Sequence, residues 1–115
     1  MIRGELWWLD YGIPFGSEPG FRRPVIILQN DFFNNSNMNT TIVIPLSTNL
    51  FLADIPGNIF LEKKESKLRK DSVILLSQTG VVDKQRLIEK ITKINKDTME
   101  KIENNIAFIL GLTII

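Results

Sequence analysis

Phe21-Arg22-Arg23-Pro24-Val25-Ile26-Ile27-Leu28 is the stretch on which the fold turns. Pro24 to Leu28 is a continuous apolar run, and such a run reads as a strand buried on both faces. Proline suits the first residue of a strand. It also restricts the residue before it to an extended backbone, so Arg23 stands on a stiff piece of chain. Before it lies a loop, Tyr11 to Arg22, holding Gly12, Pro14, Gly16, Pro19 and Gly20. Neither helix nor strand can run through that composition. Long loops of this kind are often functional. Glu5 to Asp10, rich in Trp and Leu, reads as a preceding strand.

After the central run, Asn30 to Asn39 is Asn-rich and reads as a loop. Thr40 to Leu46 is β-branched and reads as a third strand. Phe51 to Gly57 is a loop with a Pro56-Gly57 turn, and Asn58 to Glu62 is a short strand. Lys63 to Lys70 is a charge run. Its default reading is a solvated face, with one helical turn or a basic patch as alternatives. Ser72 to Val82 reads as β-branched, strand-forming chain with a bulge at Gly80. Ile88, Ile91 and Ile94 are spaced by three, which suits either a strand or a short helix. Asn95 can cap a helix running to Gly111, with Met99, Ile102, Ile106, Ile109 and Leu110 on one docking face.

Many short strands followed by one helix predict a mainly β fold: a small, strongly bent antiparallel barrel with a C-terminal helix. Repeats and linkers are absent, so residues 1–115 read as one domain, a length that suits a single core. The formal net charge is only +1, so any basic surface must be local. The chain has no cysteine and no histidine. That removes disulfides, Cys/His zinc sites, thiol nucleophiles and Ser-His-Asp chemistry together. No metal and no cofactor is expected, and any catalysis falls to Arg, Lys, Glu, Asp, Ser, Thr or Tyr. The N-terminal Met-Ile-Arg-Gly-Glu does not read as a signal peptide. No apolar stretch approaches the ~20 residues that span a bilayer, so a cytoplasmic protein with no membrane association is expected.

Arg23 lies beside a Gly-rich loop bearing Ser17, Glu18 and Arg22, while Ser47 and Thr48 follow the third strand and Asn30 and Asp31 the second. A cleft collecting an arginine, a carboxylate and hydroxyls would suit a phosphodiester. The plainer alternatives are an Arg23–Glu18 surface pair and an ordinary turn at Ser47.

The segment Gly4-Glu5-Leu6-Trp7-Trp8-Leu9-Asp10, followed by Gly16-Ser17-Glu18-Pro19-Gly20-Phe21-Arg22-Arg23-Pro24-Val25-Ile26-Ile27, closely resembles the opening signature of the MazF/PemK/Kid toxins. Thr41-Ile42-Val43-Ile44-Pro45-Leu46-Ser47, Asp71 to Gln78 and Val82 to Leu87 match the later segments in order. The resemblance implies an SH3-like barrel (MazF/CcdB-like), a homodimer and sequence-specific cleavage of single-stranded RNA without a metal. It also implies a cognate antitoxin whose disordered tail covers the active groove, with DNA met only indirectly through the antitoxin complex.

Carried over residue by residue, Arg23 is the catalytic arginine and Glu18 the acidic loop residue. Ser47 stands where the family usually has threonine, and adjacent Thr48 is the counterpart if the strand shifts by one. Strand neighbours point to opposite faces, so one of the two is expected to serve. Phe15 and Phe21 are candidates to stack on bases or to fill the barrel, and Gly16, Ser17 and Arg22 belong to the same RNA-binding loop. Asn30 and Gln78 could read base edges or simply close strand ends. Leu50, Phe51 and Leu52 want cover, from the barrel, a second copy or the antitoxin. Two other readings fit the resemblance: a gyrase-poison-like toxin that cleaves nothing, and a catalytically silent RNA-binding or autoregulatory relative.

Overall fold

The computed structural model describes residues 1–112. The strands are β1 (Glu5–Asp10), β2 (Arg22–Ile27), β3 (Thr40–Ser47), β4 (Ile59–Leu61), β5 (Ser72–Ile74), β6 (Gly80–Asp83) and β7 (Leu87–Lys93). The helices are α1 (Asp31–Asn34), α2 (Lys63–Ser66) and α3 (Lys96–Ile109). All strand pairs are antiparallel, in the order β4-β5-β3-β2-β1-β7, with β6 also paired to β3. This is the mainly β architecture with a C-terminal helix that the pattern predicts.

β2 is buried on both faces, as its apolar run requires. Ile26 packs with Leu6, Ile44, Leu46 and Ile74 in the core under α3. Val25 and Ile27 face the other way, onto Leu9, Val43 and Val82. Each fully buried side chain of this kind stabilises by about 1.5–3 kcal/mol, and β2, like its neighbours β1 and β3, feeds both cores. Its pairing with β3 sets Val25 opposite Pro45, Ile26 opposite Ile44 and Ile27 opposite Val43.

β3 changes partners along its outer edge: β6 pairs with Thr40 to Val43, and β5 with Leu46 and Ser47. Pro45 lies at the changeover. Its carbonyl faces that edge and accepts from the Leu75 N–H at 2.9 Å. Its nitrogen points to the same side and carries no hydrogen, so a continuous ladder cannot form there. This explains a difference from the sequence reading. Residues 72–82 form no single bulged strand but two strands separated by a 3-10 turn, Leu76–Gln78, with Gly80 opening β6.

Two more expectations shift. The segment from Asn30 is not all loop: α1 forms because the Asn30 side chain accepts from the Phe32 N–H and caps it. Asn34 then locks the turn to the sheet, since its amide oxygen accepts from Thr41 Oγ1 at 2.8 Å. Ile88 and Ile91 lie in β7, which settles the open choice in favour of a strand. α3 begins at its Asn95 cap as expected but ends at Ile109, and Leu110 is exposed rather than part of the docking face. Thr113 to Ile115, the end of the C-terminal apolar run, lie outside the described residues.

α3 docks with Met99 and Ile102 in the core and Ile106 and Ile109 against it. Gly57 receives the helix: its carbonyl accepts from Asn105 Nδ2 at 3.1 Å. Gly57 has φ +94°, and a Cβ there would stand 2.6 Å from Ile109 Cδ1. Gly57→Ala should therefore destabilise the fold by about 1–3 kcal/mol, through the backbone conformation and the lost helix approach together. Denaturant unfolding measures this, and an unchanged midpoint would contradict the docking account.

Candidate active site

The register of β2 against β3, continued by two residues beyond Val25 opposite Pro45, brings Arg23 opposite Ser47. The side chains show the result. Arg23 Nη1 donates to the Leu46 carbonyl at 3.3 Å, and its Nε donates to the Gly20 carbonyl at 3.4 Å. A guanidinium has five N–H donors, so three remain for a ligand. Arg23 pairs with no carboxylate among the described residues, where the ion pairs are Arg3–Glu103 and Lys90–Glu5. The expected alternative of an Arg23–Glu18 surface pair is not found.

Ser47 ends β3, and its Oγ accepts from the Asn49 N–H at 3.1 Å. That contact uses a lone pair and leaves the hydroxyl proton free to donate. Thr48 lies beyond the last residue of β3, in a bend. The alternation that separates strand neighbours no longer applies there. Ser47 and Thr48 both line the same cleft.

The cleft has a volume of about 700 Å³. Trp8, Pro24, Leu46, Leu68 and Ile91 give it apolar walls. Its charged side chains are Arg22, Arg23, Lys67, Arg69 and Lys70, and no Asp or Glu lines it. Three of these come from the Lys63 to Lys70 run, which forms one helical turn, Lys63–Ser66, and then exposed cations at the cleft rim, so the run is solvated and also supplies a local basic patch. Opposite charge is wanted here: a polyanion that fills the cleft meets five cations and hydroxyl donors.

The loop between β1 and β2 stands over one end. Tyr11 N–H donates to the Phe21 carbonyl, and Phe21 N–H to the Gly12 carbonyl, which zips its base. Gly20 packs so closely on Pro14 that a Cβ would stand 2.4 Å from its Cδ and clash with the ring. Phe21 has φ +58° and is 65% exposed, and Phe15 is 85% exposed, so neither fills the barrel. Gly16 and Ser17 occupy the exposed tip between them. Burial pushes the Tyr11 phenol up to about 12, with the nearby Arg23 charge pulling the other way. Tyr11 therefore stays a neutral phenol at physiological pH.

Glu18 does not line the Arg23 cleft. It faces a second hollow of about 470 Å³ on the far side of the loop, together with Gln78, Tyr11 and Arg86. Asn30 lines neither hollow; its Oδ1 accepts from the Phe32 N–H in the α1 cap. Leu50 and Phe51 sit in a 3-10 turn, Leu50–Asp54, with Phe51 87% exposed, so the barrel does not cover them. No three His, Cys, Asp or Glu side chains among the described residues converge on a metal position. No described helix is long and apolar enough to cross a membrane. Lys67, Arg69 and Lys70 are the site residues that sequence reasoning passed over. Their signal was a cation-rich run, Lys63 to Lys70, interrupted by Glu65, Ser66 and Leu68, which sequence alone cannot orient.

Fold and cleft together define a small antiparallel barrel with a cationic, carboxylate-free groove for a polyanion. Residues 2–110 match the family of PemK-like, MazF-like toxins of type II toxin-antitoxin systems. The chain is 33% identical over 110 residues to Endoribonuclease MazF2 of Mycobacterium bovis, covering 96% of each. The chain belongs to this toxin family. Its fold is similar to that of a mycobacterial endoribonuclease in complex with its cognate antitoxin, with TM-score 0.81, 19% identity and coverage of 100% and 99% of the two chains. It is similar also to MazF from Deinococcus radiodurans, with TM-score 0.80, 21% identity and 96% of each chain covered.

The Pro14–Gly20 contact holds the Gly20 carbonyl against Arg23. Gly20→Ala should loosen the loop by about 1–3 kcal/mol. Native-state amide exchange at Phe21 should then speed about 10- to 100-fold, while Val25 in β2 keeps its protection. Equal exchange at Phe21 in both proteins would contradict the contact.

Proposed function

We propose that this chain is an endoribonuclease toxin, restrained by a cognate antitoxin, that cuts single-stranded RNA by attack of its own 2′-OH without a metal. The observation that carries the reading is the juxtaposition of a carboxylate-free Arg23 with the free hydroxyl proton of Ser47 in a cationic cleft. RNA supplies the nucleophile, so the protein need only orient the strand, stabilise charge and move protons.

Arg23 clamps the non-bridging oxygens of the scissile phosphate with its three remaining donors. Ser47 donates to the same oxygens, and Thr48 offers a second hydroxyl beside it. As the 2′-oxygen bonds to phosphorus, the bond to the 5′-oxygen breaks. Glu18, the one carboxylate on the Tyr11 to Phe21 loop, takes the 2′-OH proton. Its placement in the neighbouring hollow requires the loop tip to swing over the bound strand. That tip is held by few buried contacts, as a moving segment requires. Water returns a proton to the 5′-oxygen, and the products are a 2′,3′-cyclic phosphate and a 5′-hydroxyl.

Single-stranded bases can splay and stack. Phe15 and Phe21, already exposed, supply such faces, with Gly16, Ser17 and Arg22 beside them and the Gln78 amide in the adjoining hollow. Asn30, which lines neither hollow, takes no part in this reading. The free hydroxyl and arginine favour cleavage over a purely protein-binding toxin. A second copy and an antitoxin are the partners expected to cover exposed Phe32 and Phe33 on α1 and Phe51. The reading places the protein in the cytoplasm, where its substrate lies.

Arg23→Ala should lower turnover at least about 100-fold, the usual loss for one preorganised donor, with the fold retained. Glu18→Gln should cost about 100-fold or more, as for a general base. Single-turnover cleavage of an unstructured RNA measures both. A loss below about tenfold in Arg23→Ala would remove it from the chemistry, and the same for Glu18→Gln would return it to loop organisation.

A further inference from the structure

The segment between α2 and β5 carries features that the chemistry above leaves unused. Lys67, Arg69 and Lys70 are exposed, line the cleft and pair with no carboxylate among the described residues. The acids of the same segment are turned to other work. Glu65 accepts from the Asn95 N–H and from Thr98 Oγ1, both at 3.0 Å, and so ties α2 to the start of α3. Asp71 accepts from the Lys63 N–H at 2.9 Å and closes the segment on itself. Ser66 is fully buried, and its Oγ accepts from the Leu68 N–H at 3.1 Å. The backbone is thus fixed at several points, with its cations left toward the cleft.

Lys67 adds an independent sign. It terminates α2 with φ +65° and ψ +14°, a left-handed conformation that glycine adopts freely and a lysine rarely does. A residue held in a conformation that its side chain disfavours, at the rim of a binding cleft, points to work done by that side chain.

We propose that Lys67, Arg69 and Lys70 form a phosphate track that grips the RNA strand beyond the scissile bond. The proposal rests on the reading of the cleft as an RNA site. It adds a part of the molecule that binds without touching the reacting atoms. Arg22 and Arg23 lie in the same cleft, so one strand running through it passes from the scissile phosphate to the track. Exposed cations that neutralise phosphates release bound counterions, and for single strands each contributes about 0.7 to the slope of log affinity against log salt. Three such cations contribute about 2.

The test uses the full-length chain and a fluorescent, unstructured 2′-O-methyl oligoribonucleotide. This probe lacks the nucleophile, so anisotropy reads binding apart from cleavage. The triple variant Lys67→Gly, Arg69→Gln, Lys70→Gln should lose about 10- to 100-fold in affinity near 0.1 M salt, with the salt slope flattened by about 2. Cleavage of a long unstructured RNA should show the loss in KM, with kcat falling much less, because the track binds without touching the reacting atoms. Lys67→Gly alone should weaken binding of the long probe while thermal stability holds or rises, because glycine relieves the backbone; a purely structural Lys67 would not divide the two readouts. Unchanged affinity and slope in the triple variant would overturn the proposal. So would a loss confined to an acidic polyglutamate peptide, which would make the segment a protein-docking surface. If ordinary RNA stays uncut by the native chain while the 2′-O-methyl probe follows the expected pattern, cleavage fails and the track stands.

Discussion

The pairing of β2 with β3 is the constraint on which the rest of the molecule depends. Both strands send side chains into two cores, so neither can shift without disturbing both. That rigidity extends past the paired residues. Pro24 holds Arg23 extended, and the register carries it to the end of β3, where its guanidinium meets the Leu46 carbonyl beside Ser47. Arg23 and Ser47 are brought together by packing rather than by contacts between the two side chains. A site on strand ends of a shared core starts with little freedom to lose when substrate binds.

Charge is then arranged by subtraction. The chain is nearly neutral overall, yet its cleft holds five cations and no acid. Two nearby carboxylates are held away from the cleft: Glu65 accepts from the Asn95 N–H and Thr98 Oγ1 at the start of α3, and Asp71 from the Lys63 N–H. The only acid on the overhanging loop, Glu18, waits on its far side. On the proposed mechanism, binding and proton transfer belong to different parts: the cationic cleft, and the exposed tip of the loop that carries Glu18.

Much of this was legible in the sequence. The Pro24 to Leu28 run declared a doubly buried strand, the residue before its proline was marked as rigid, and the Asn95 cap with its apolar stripe declared α3. What escaped depended on partners distant in sequence. α1 is a single turn that persists because Asn34 reaches Gln29 and Thr41. The break in residues 72–82 is imposed by Pro45 on another strand. The direction of the Lys63 to Lys70 charges is set by hydrogen bonds to a helix thirty residues away. Thr48 joined Ser47 because β3 ends between them. Periodicity reports local preference, whereas these features are tertiary.

The central claim is that Arg23 and Ser47, without a metal, make RNA cleave itself. The most direct measurement is to incubate the purified chain with a long unstructured RNA in excess EDTA and to identify the chemistry of every new end. The account predicts cuts at discrete sequences, each leaving a 5′-hydroxyl and a 2′,3′-cyclic phosphate. Cleavage abolished by EDTA, or 5′-phosphate ends, would contradict it.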